Sequence, residues 1–279
     1  MAETTLQDEL LRAESLLIQG EDELARDLLL RLAEDAEEYV DRNCPTTDTV
    51  QWFSFPTLFE RLCYRRVEND PRELRDVGEP LDQLYADLAL ADVRLGDYDL
   101  ASEALKRAVR WNPMDCGYRL DLAELCLVKG DVRECLALAY SVFERASEAA
   151  HLARAYVVFA GWFERSGNTR AAAACLRAAE RLGVRDTTVV AALAQARETE
   201  CDPATISEEE ANAALASEGL PDGANAEVAI CLLMCAGDAA RLGQRELAVN
   251  LTLRARDLVG EAAAASLLAL IHEEDADEG

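Results

Sequence analysis

Apolar residues recur at three- and four-residue steps along most of the chain. One such run is Leu84, Leu88, Ala91 and Leu95. Because an α-helix turns once every 3.6 residues, this spacing places the apolar side chains on a single helix face. The pattern predicts a succession of amphipathic helices, each burying one face, and therefore an all-α fold.

Five of the 14 glycines lie in the same local pattern, with Ala seven residues before them and Ala or Cys five residues after. Chance alone predicts about 0.5 such glycines. We interpret each group as a helix hairpin, because Gly ends a helix easily and small residues let two helices approach closely. The next residue, Asp97 or Asp131, is expected to cap the second helix. The five groups are Ala13-Gly20-Ala25, Ala89-Gly96-Ala101, Ala123-Gly130-Cys135, Ala160-Gly167-Ala172 and Ala236-Gly243-Ala248.

The stretch from Leu81 to Asp115 has the fullest version of this pattern. Its characteristic residues are Tyr85, Leu88, Ala89, Gly96, Asp97, Tyr98, Ala101, Leu105, Ala108 and Pro113. At these offsets the sequence resembles the tetratricopeptide repeat (TPR) family, and the resemblance extends over about 170 of the 279 residues. It implies a right-handed α-α superhelix of stacked hairpins that binds a protein or peptide segment in its concave groove.

The same resemblance predicts one helical-repeat domain over residues 1–279. The expected repeats are approximately 6–39, 82–115, 116–149, 153–186 and 229–260. Two irregular insertions, 40–81 and 187–228, separate them, and the second is either an insertion or a degenerate repeat. A capping helix is expected at 261–272, followed by a solvated acidic tail at 273–279.

In the first insertion, we expect a helix from Thr57 to Asn69 with Leu58, Leu62 and Phe59 facing inward. Before it lies an aromatic cluster formed by Trp52, Phe53 and Phe55. These aromatic residues either cover the first hairpin or the groove as ordinary core, or form an exposed docking patch.

In the second insertion, we expect a helix from Asp186 to about Glu200. Its predicted buried residues are Val189, Val190, Leu193 and Ala196. Ser207 and Glu210 have the spacing of a capping box, which predicts a short helix that ends near Ser217.

In the TPR family the first helix of each hairpin lines the groove. The resemblance maps the groove onto Gln83, Ala86, Leu90, Val93, Arg94, Leu120, Glu124, Leu127, Val128, Arg154, Val157, Glu164, Arg165, Ile230, Leu233, Ala240 and Arg241. The four arginines in this set could bind a partner carboxylate, or could pair with the chain's own acidic residues. The Lys/Asn clamp by which some family members bind a chaperone's C-terminal peptide is missing, since Lys106 and Lys129 lie off these positions.

Charge limits the partners further. The chain has 54 Asp and Glu against 28 Lys and Arg, which gives a net charge of −26. Nucleic acid and anionic membranes repel such a field, so neither is an expected partner. A protein or peptide is expected instead, with the chain a monomer or a weak homo-oligomer.

Chemistry of other kinds has little support in the sequence. There are two His, and the nine Cys include no C-x-x-C pair. Cys231 and Cys235, four residues apart, are interpreted as small buried residues. With no phosphate-binding loop, nucleophile motif or metal motif, we expect no cofactor, no metal and no enzymatic activity.

The N-terminal residues lack the basic and apolar regions of a secretory signal, so a cytoplasmic location is expected. The predominance of Arg over Lys suggests a GC-rich bacterial genome. An alternative to groove binding also stays open. Residues 44–56 could fill the groove, and the domain would then act structurally or by self-association.

Overall fold

A computed structural model describes residues 5–277 of the chain. The side chains of residues 270 and 272–277 lie outside this description, as do residues 278–279, so most of the predicted acidic tail is not tested. The described residues form fourteen α-helices and two short strands, which confirms an essentially all-α fold. The chain divides into two compact units, Met1–Cys135 and Leu136–Gly279.

The first unit contains two helix hairpins, a small sheet and two further helices. Helix α1 packs on α2, α4 packs on both α2 and α5, and α5 packs on α6. The elements are α1 (Leu6–Gln19), α2 (Asp22–Asn43), β1 (Val50–Phe53), α3 (Leu58–Glu68), β2 (Glu73–Asp76), α4 (Leu81–Leu95), α5 (Tyr98–Trp111) and α6 (Cys116–Val128). Helix α7 (Val132–Arg145) crosses the boundary between the units.

The second unit is built around the pairs α8–α9 and α12–α13. Its buried aromatic residues include Phe143, whose ring centroid lies 4.8 Å from that of Tyr156 and 5.8 Å from that of Phe159. The elements are α8 (Ala149–Arg165), α9 (Thr169–Arg181), α10 (Thr187–Ala196), a 3₁₀ turn (Pro203–Thr205), α11 (Glu208–Ser217), α12 (Ala226–Arg241), α13 (Arg245–Val259) and α14 (Glu261–Asp277).

All five pattern glycines follow a helix in the left-handed backbone region, with φ between 75° and 82°. At the α4–α5 turn, the Gly96 amide donates to Val93 O at 3.1 Å and the Asp97 amide donates to Asp92 O at 2.8 Å. These bonds satisfy carbonyls at the end of α4. The flanking Ala89 and Ala101 are both buried, so the predicted close contact between the paired helices is present.

The predicted aspartate caps are half right. Asp131 Oδ1 accepts a hydrogen bond from the Glu134 amide at 3.1 Å, as a cap should. Asp97 makes no such bond. Its carboxylate instead accepts from Arg26 Nη1 at 2.8 Å, because an arginine on the neighbouring helix α2 is a stronger donor than its own helix amides.

The first insertion contains a structure that the sequence analysis missed. Strands β1 and β2 pair in parallel, with Val50 opposite Glu73 and Phe53 opposite Asp76. Parallel strands need a long crossover, and helix α3 lies within it. Beside the sheet, Arg72 Nη2 donates to Asp70 Oδ2 at 2.6 Å, and this bond holds the pKa of Asp70 well below its usual value.

Helix α3 is present where it was predicted, and Phe59 faces inward as expected, but the predicted burial of Leu58 and Leu62 is wrong. Leu58 is 64% exposed and Leu62 is also exposed. The buried residues are Phe59, Cys63 and Tyr64. The buried face of α3 is therefore shifted by one residue from the predicted face. Phe59 and Tyr64 make more apolar contact with the aromatic rings of this insertion than Leu58 would make.

In the second insertion, Val189 and Ala196 are buried as expected, but Val190 is exposed and Leu193 is only half-buried. Helix α10 ends at Ala196, earlier than predicted, and packs on α8 and α9. The capping box at Ser207 is confirmed and begins helix α11, which packs mainly on α9. These two helices therefore pack chiefly on earlier helices and do not form a hairpin of their own.

The C-terminal helix α14 packs on α12 and α13, as a capping helix would. It continues to Asp277, past the predicted end at His272. Within residues 5–277, no helix is both long and apolar enough to span a membrane.

Replacement of Gly96 by Ala tests the hairpin turn. Gly96 has φ +82°, and an added Cβ would meet no atom within 4 Å, so any cost comes from the backbone alone. We expect Gly96→Ala to lower the free energy of unfolding by about 1–2 kcal/mol, measured by urea denaturation.

Gly237 is the matched control, because it lies inside helix α12 without a positive φ and also has open space around it. Gly237→Ala should stabilise the protein by about 0.5–1 kcal/mol, since Ala favours helix interiors. Equal effects of the two substitutions would contradict the role assigned to Gly96.

A buried polar cluster attaches the first insertion to the helices. Asp82 on α4 accepts from Asn112 Nδ2 at 3.1 Å and lies 3.0 Å from the Ser54 hydroxyl at the end of β1. The Ser54 amide donates to Trp111 O at 2.9 Å. Ser54, Asp82 and Asn112 are all buried, so each of them needs a partner within the fold.

Replacement of Asn112 by Ala removes the donor to Asp82 and also the acceptor of the Met114 amide. We expect a loss of about 1–3 kcal/mol in unfolding free energy, since buried polar groups are left unsatisfied. Asn43→Ala is the control. Asn43 is exposed, and its side chain donates a hydrogen bond to Tyr39 O, so its loss should change stability by less than about 0.5 kcal/mol.

Candidate binding clefts

The predicted groove residues fall on helices α4, α6, α8 and α12, but not all of them reach a surface. Leu120 and Leu233 are buried in the cores of their units. Both predictions are wrong, because these leucines lie on the apolar stripe of their helices. Leu127 and Val128 are exposed at the end of α6.

The first unit has a cleft of about 380 Å³ between helices α4, α5 and α6. We call it the α4–α6 cleft. Four predicted groove residues line it, namely Ala86, Leu90, Val93 and Glu124. The sequence analysis thus located one wall of this cleft, since these residues lie on the exposed side of the first helices of two successive hairpins.

Asp87 also lines the α4–α6 cleft and was missed by the sequence analysis. Its Oδ2 atom is buried and has no hydrogen-bond partner in the described part of the chain. Burial, with a smaller contribution from Glu14, raises the pKa of Asp87 to about 7. Its position between Leu84, Leu88 and Ala91 on the apolar face of α4 was the signal that could have revealed it.

Tyr118 on α6 forms the opposite side of the α4–α6 cleft. Burial raises the pKa of its hydroxyl well above the usual value, and Asp82, Asp115 and Asp87 raise it further. The hydroxyl lies 3.5 Å from Asp82 Oδ2. The carboxylates around this ring keep its proton in place, so Tyr118 is a neutral, half-buried wall of the cleft.

Two of the predicted groove arginines are bound by groups of the chain itself. Arg94 donates to Leu17 O at 2.5 Å and pairs with Asp22 at 3.1 Å, and Arg241 pairs with Asp238 at 2.6 Å. For these two, pairing with the chain's own acidic residues is confirmed. Gln83 likewise donates to Glu14. Arg154 is half-buried on α8.

The second unit has a separate cleft of about 240 Å³, bounded by α8, α9 and α10. Three predicted groove residues line it, Val157, Glu164 and Arg165. Its walls include Cys201, whose thiol has a pKa raised chiefly by burial. The charged residues that line this cleft, Glu164 and Arg165, have opposite charges, so the lining favours neither an anionic nor a cationic ligand.

The exposed aromatic docking patch is not found. Phe53 and Phe55 are buried and stack with ring centroids 4.7 Å apart. Trp52 is half-buried, and the guanidinium of Arg75 lies 5.6 Å from its ring centroid. The ordinary-core interpretation is correct for Phe53 and Phe55. No residue of 44–56 lines the α4–α6 cleft, so this segment does not fill it.

The nine cysteines are free thiols, and seven of them are buried. Cys231 is buried as predicted, whereas Cys235 is half-buried. Among the described residues, no group of three or more His, Cys, Asp or Glu could hold a metal ion. No protein-family model matches the chain, and no curated protein matches it.

The pH dependence of stability tests the burial of Asp87. Its pKa is raised from 3.8 to about 7 in the fold, so the folded state binds the extra proton between these values. Stability contributed by this group therefore decreases as pH rises from about 4 to about 7. Asp87→Asn should remove that decrease, making the variant more stable relative to wild type at pH 8 than at pH 5.

The charged and titratable groups that influence Asp87 are Glu14 on α1 and Tyr118 on α6. Asp99→Asn is the control of opposite sign. Lys129 lowers the pKa of Asp99, so the stability from this pair is present at neutral pH and is lost as pH falls. Parallel pH profiles for the two variants, measured by thermal and urea unfolding, would contradict the burial of Asp87.

Proposed function

We propose that the chain is a TPR-like helical-repeat protein that acts as a non-catalytic interaction module. In this proposal the hairpins stack as a right-handed superhelix, and the first helices bind a partner's peptide or protein segment. The observation that supports it is the α4–α6 cleft, formed where the first helices of successive hairpins were expected to meet a ligand.

The α4–α6 cleft suits the side chains of a short segment. Leu90 is 41% exposed on its wall, and Ala86 and Val93 are half-buried beside it. Apolar surface in a concave site favours an apolar side chain that leaves water. A volume of about 380 Å³ is at the low end of ligand pockets and fits a few side chains.

The residues of the cleft give little support to catalysis, and the charge of the chain gives little support to a nucleic-acid partner. Burial raises the pKa of Asp87 in this cleft to about 7, and no nucleophile is hydrogen-bonded to its carboxyl in the described structure. The net charge of −26 disfavours nucleic acid. A protein segment is therefore the proposed ligand.

A second candidate is self-association, favoured by the outer face of the first hairpin. Ile18 on α1 is 85% exposed, and Leu11, Leu24 and Leu30 are exposed on α1 and α2. Several large apolar side chains exposed on one hairpin are typical of a contact with another protein. This face belongs to helices other than α4 and α6, so mutation separates the two candidates.

Leu90→Glu tests the proposed function. A random 12-residue peptide library is selected on the full-length chain, and the enriched peptides are measured on wild type and variants by fluorescence anisotropy. We expect Leu90→Glu to weaken binding by at least tenfold, since it places a charge on the apolar wall.

Leu100→Glu is the matched control, because Leu100 is 50% exposed on α5 and does not line the cleft. It should change binding by less than about twofold. If Leu90→Glu leaves the binding of the enriched peptides unchanged and Ile18→Glu abolishes it, binding in the cleft is contradicted. That result would place the contact on the outer face of the first hairpin.

A further inference from the structure

Helix α3 of the first insertion has apolar residues on two sides. Phe59, Cys63 and Tyr64 are buried on the side that packs within the first unit. On the other side, Leu58 is 64% exposed and Leu62 is 41% exposed. A helix that packs on its own fold with one side is expected to have polar residues on the opposite side. The packing of α3 within the unit therefore does not account for the two exposed leucines.

Leu58, Leu62 and Arg65 lie in one row along α3, because steps of four and three residues bring side chains to the same side of a helix. All three are exposed. We call these three residues the α3 face. The two leucines are one turn apart and form a small apolar surface, and Arg65 follows them in the next turn.

The charge of Arg65 is not compensated by an ion pair. Within residues 5–277, no hydrogen bond or salt bridge engages its guanidinium group. The chain has 54 acidic residues against 28 Lys and Arg, so most cations have carboxylates to choose from. Arg65 nevertheless faces solvent with all of its donors open to a ligand.

The carboxylates near the α3 face are bound by other groups. Asp70 accepts from Arg72 at 2.6 Å, and Glu73 pairs with Arg75 at 3.0 Å. Glu60 accepts from the hydroxyl of the residue that caps the start of α3. These contacts direct the local acidic groups to partners other than Arg65.

A second cation lies beside the α3 face. Arg61 is exposed one turn after Leu58, and its Nη2 donates to Leu74 O at 2.8 Å. This bond fixes the guanidinium group but does not neutralise it, since the carbonyl has no net charge. Arg66 and Glu68, the remaining charged residues of α3, have interactions of their own and are not counted here.

We propose that the α3 face docks an acidic amphipathic helix of another protein. The apolar residues of that helix pack on Leu58 and Leu62, as helices with apolar residues at three- and four-residue steps pack on one another. A Glu or Asp of the helix pairs with Arg65, whose planar group matches a carboxylate. Arg61 adds a second positive charge at the edge of the contact.

The net charge of −26 restricts where an acidic segment can bind. At physiological ionic strength, charges further away than about 8 Å are largely screened. A short segment on the α3 face is therefore influenced mainly by the nearby arginines, whereas acidic residues repel it over most of the remaining surface. A second copy of the chain would bring its own charge of −26, which makes a short acidic segment the better occupant.

The α3 face is separate from the α4–α6 cleft. None of Leu58, Leu62 and Arg65 lines that cleft. The proposed docking of an acidic helix therefore does not depend on the function proposed above, and variants of Leu90 and of the α3 face report on different contacts.

The test uses the same random peptide library, selected on the full-length chain and then depleted on the double variant Leu58→Glu/Leu62→Glu. Both leucines are exposed, so the variant should keep its fold, which circular dichroism checks. Among peptides that need the α3 face, we expect Asp or Glu to be enriched beside apolar residues three or four positions apart. Replacing the enriched Asp or Glu by Asn or Gln should weaken binding to wild type by about three- to fivefold.

Arg65→Gln removes the charge on the protein side. We expect it to weaken the acidic peptide by about three- to fivefold and to leave the Asn or Gln peptide within about twofold. Arg133→Gln is the matched control, because Arg133 is exposed on α7 and makes the same charge change, and it should have less than about a twofold effect. The comparison of the two peptides on wild type needs no protein variant.

Four results would overturn the proposed occupant. No selected peptide needs the α3 face, or those that need it show no acidic enrichment, or the acidic and neutral peptides bind wild type equally. The fourth is a dimer in light scattering, or binding to phosphatidylserine vesicles, that is lost with Leu58→Glu/Leu62→Glu, since a second copy or a membrane would then cover this face. Peptides that are lost with Leu90→Glu alone report on the α4–α6 cleft, so failure of the proposed function is a distinct result.

Discussion

Close contact between paired helices, made possible by a left-handed glycine, is the constraint on which the rest of this structure depends. Each of the five turns has Gly at a positive φ, which other residues adopt only with strain. A small residue on either side, such as Ala89 and Ala101, allows the helix backbones to approach. Because α4 and α5 are fixed in this way, the exposed side of α4 meets α6 at a defined distance, and a cleft forms between them.

Polar residues on otherwise apolar helix faces set the electrostatics in and around the α4–α6 cleft. Asp82 and Asp87 both lie on α4, but their surroundings differ. Asp82 has Asn112 and Ser54 as partners and serves to attach the first insertion. Asp87 has no such partner, so burial raises its pKa to about 7. One acidic residue is thus used by the fold, and the other has a buried oxygen without a hydrogen-bond partner in the described structure.

The sequence predicted the hairpins because their signals are local: glycine, small residues and helical spacing. It could not predict the parallel pairing of β1 and β2, since Glu73–Asp76 has little strand propensity and is held by its partner strand. Leu58 was predicted to face inward because the spacing of apolar residues along a helix does not show which neighbouring element that helix face contacts. Leu90, Val93 and Glu124, which were predicted as groove residues, line the α4–α6 cleft. Asp87 was missed although it lies on the apolar face of α4, and the charge of Glu14, which also raises its pKa, comes from a residue distant in the sequence.

The most direct test of the account is to locate a bound segment by methyl NMR. A selected peptide is titrated into protein labelled at Leu and Val methyl groups. The account predicts shift changes concentrated at Leu90, Val93 and Leu125, which line the α4–α6 cleft. Shift changes concentrated instead at Leu11, Leu24 and Leu30 would place binding on the outer face of the first hairpin and contradict it.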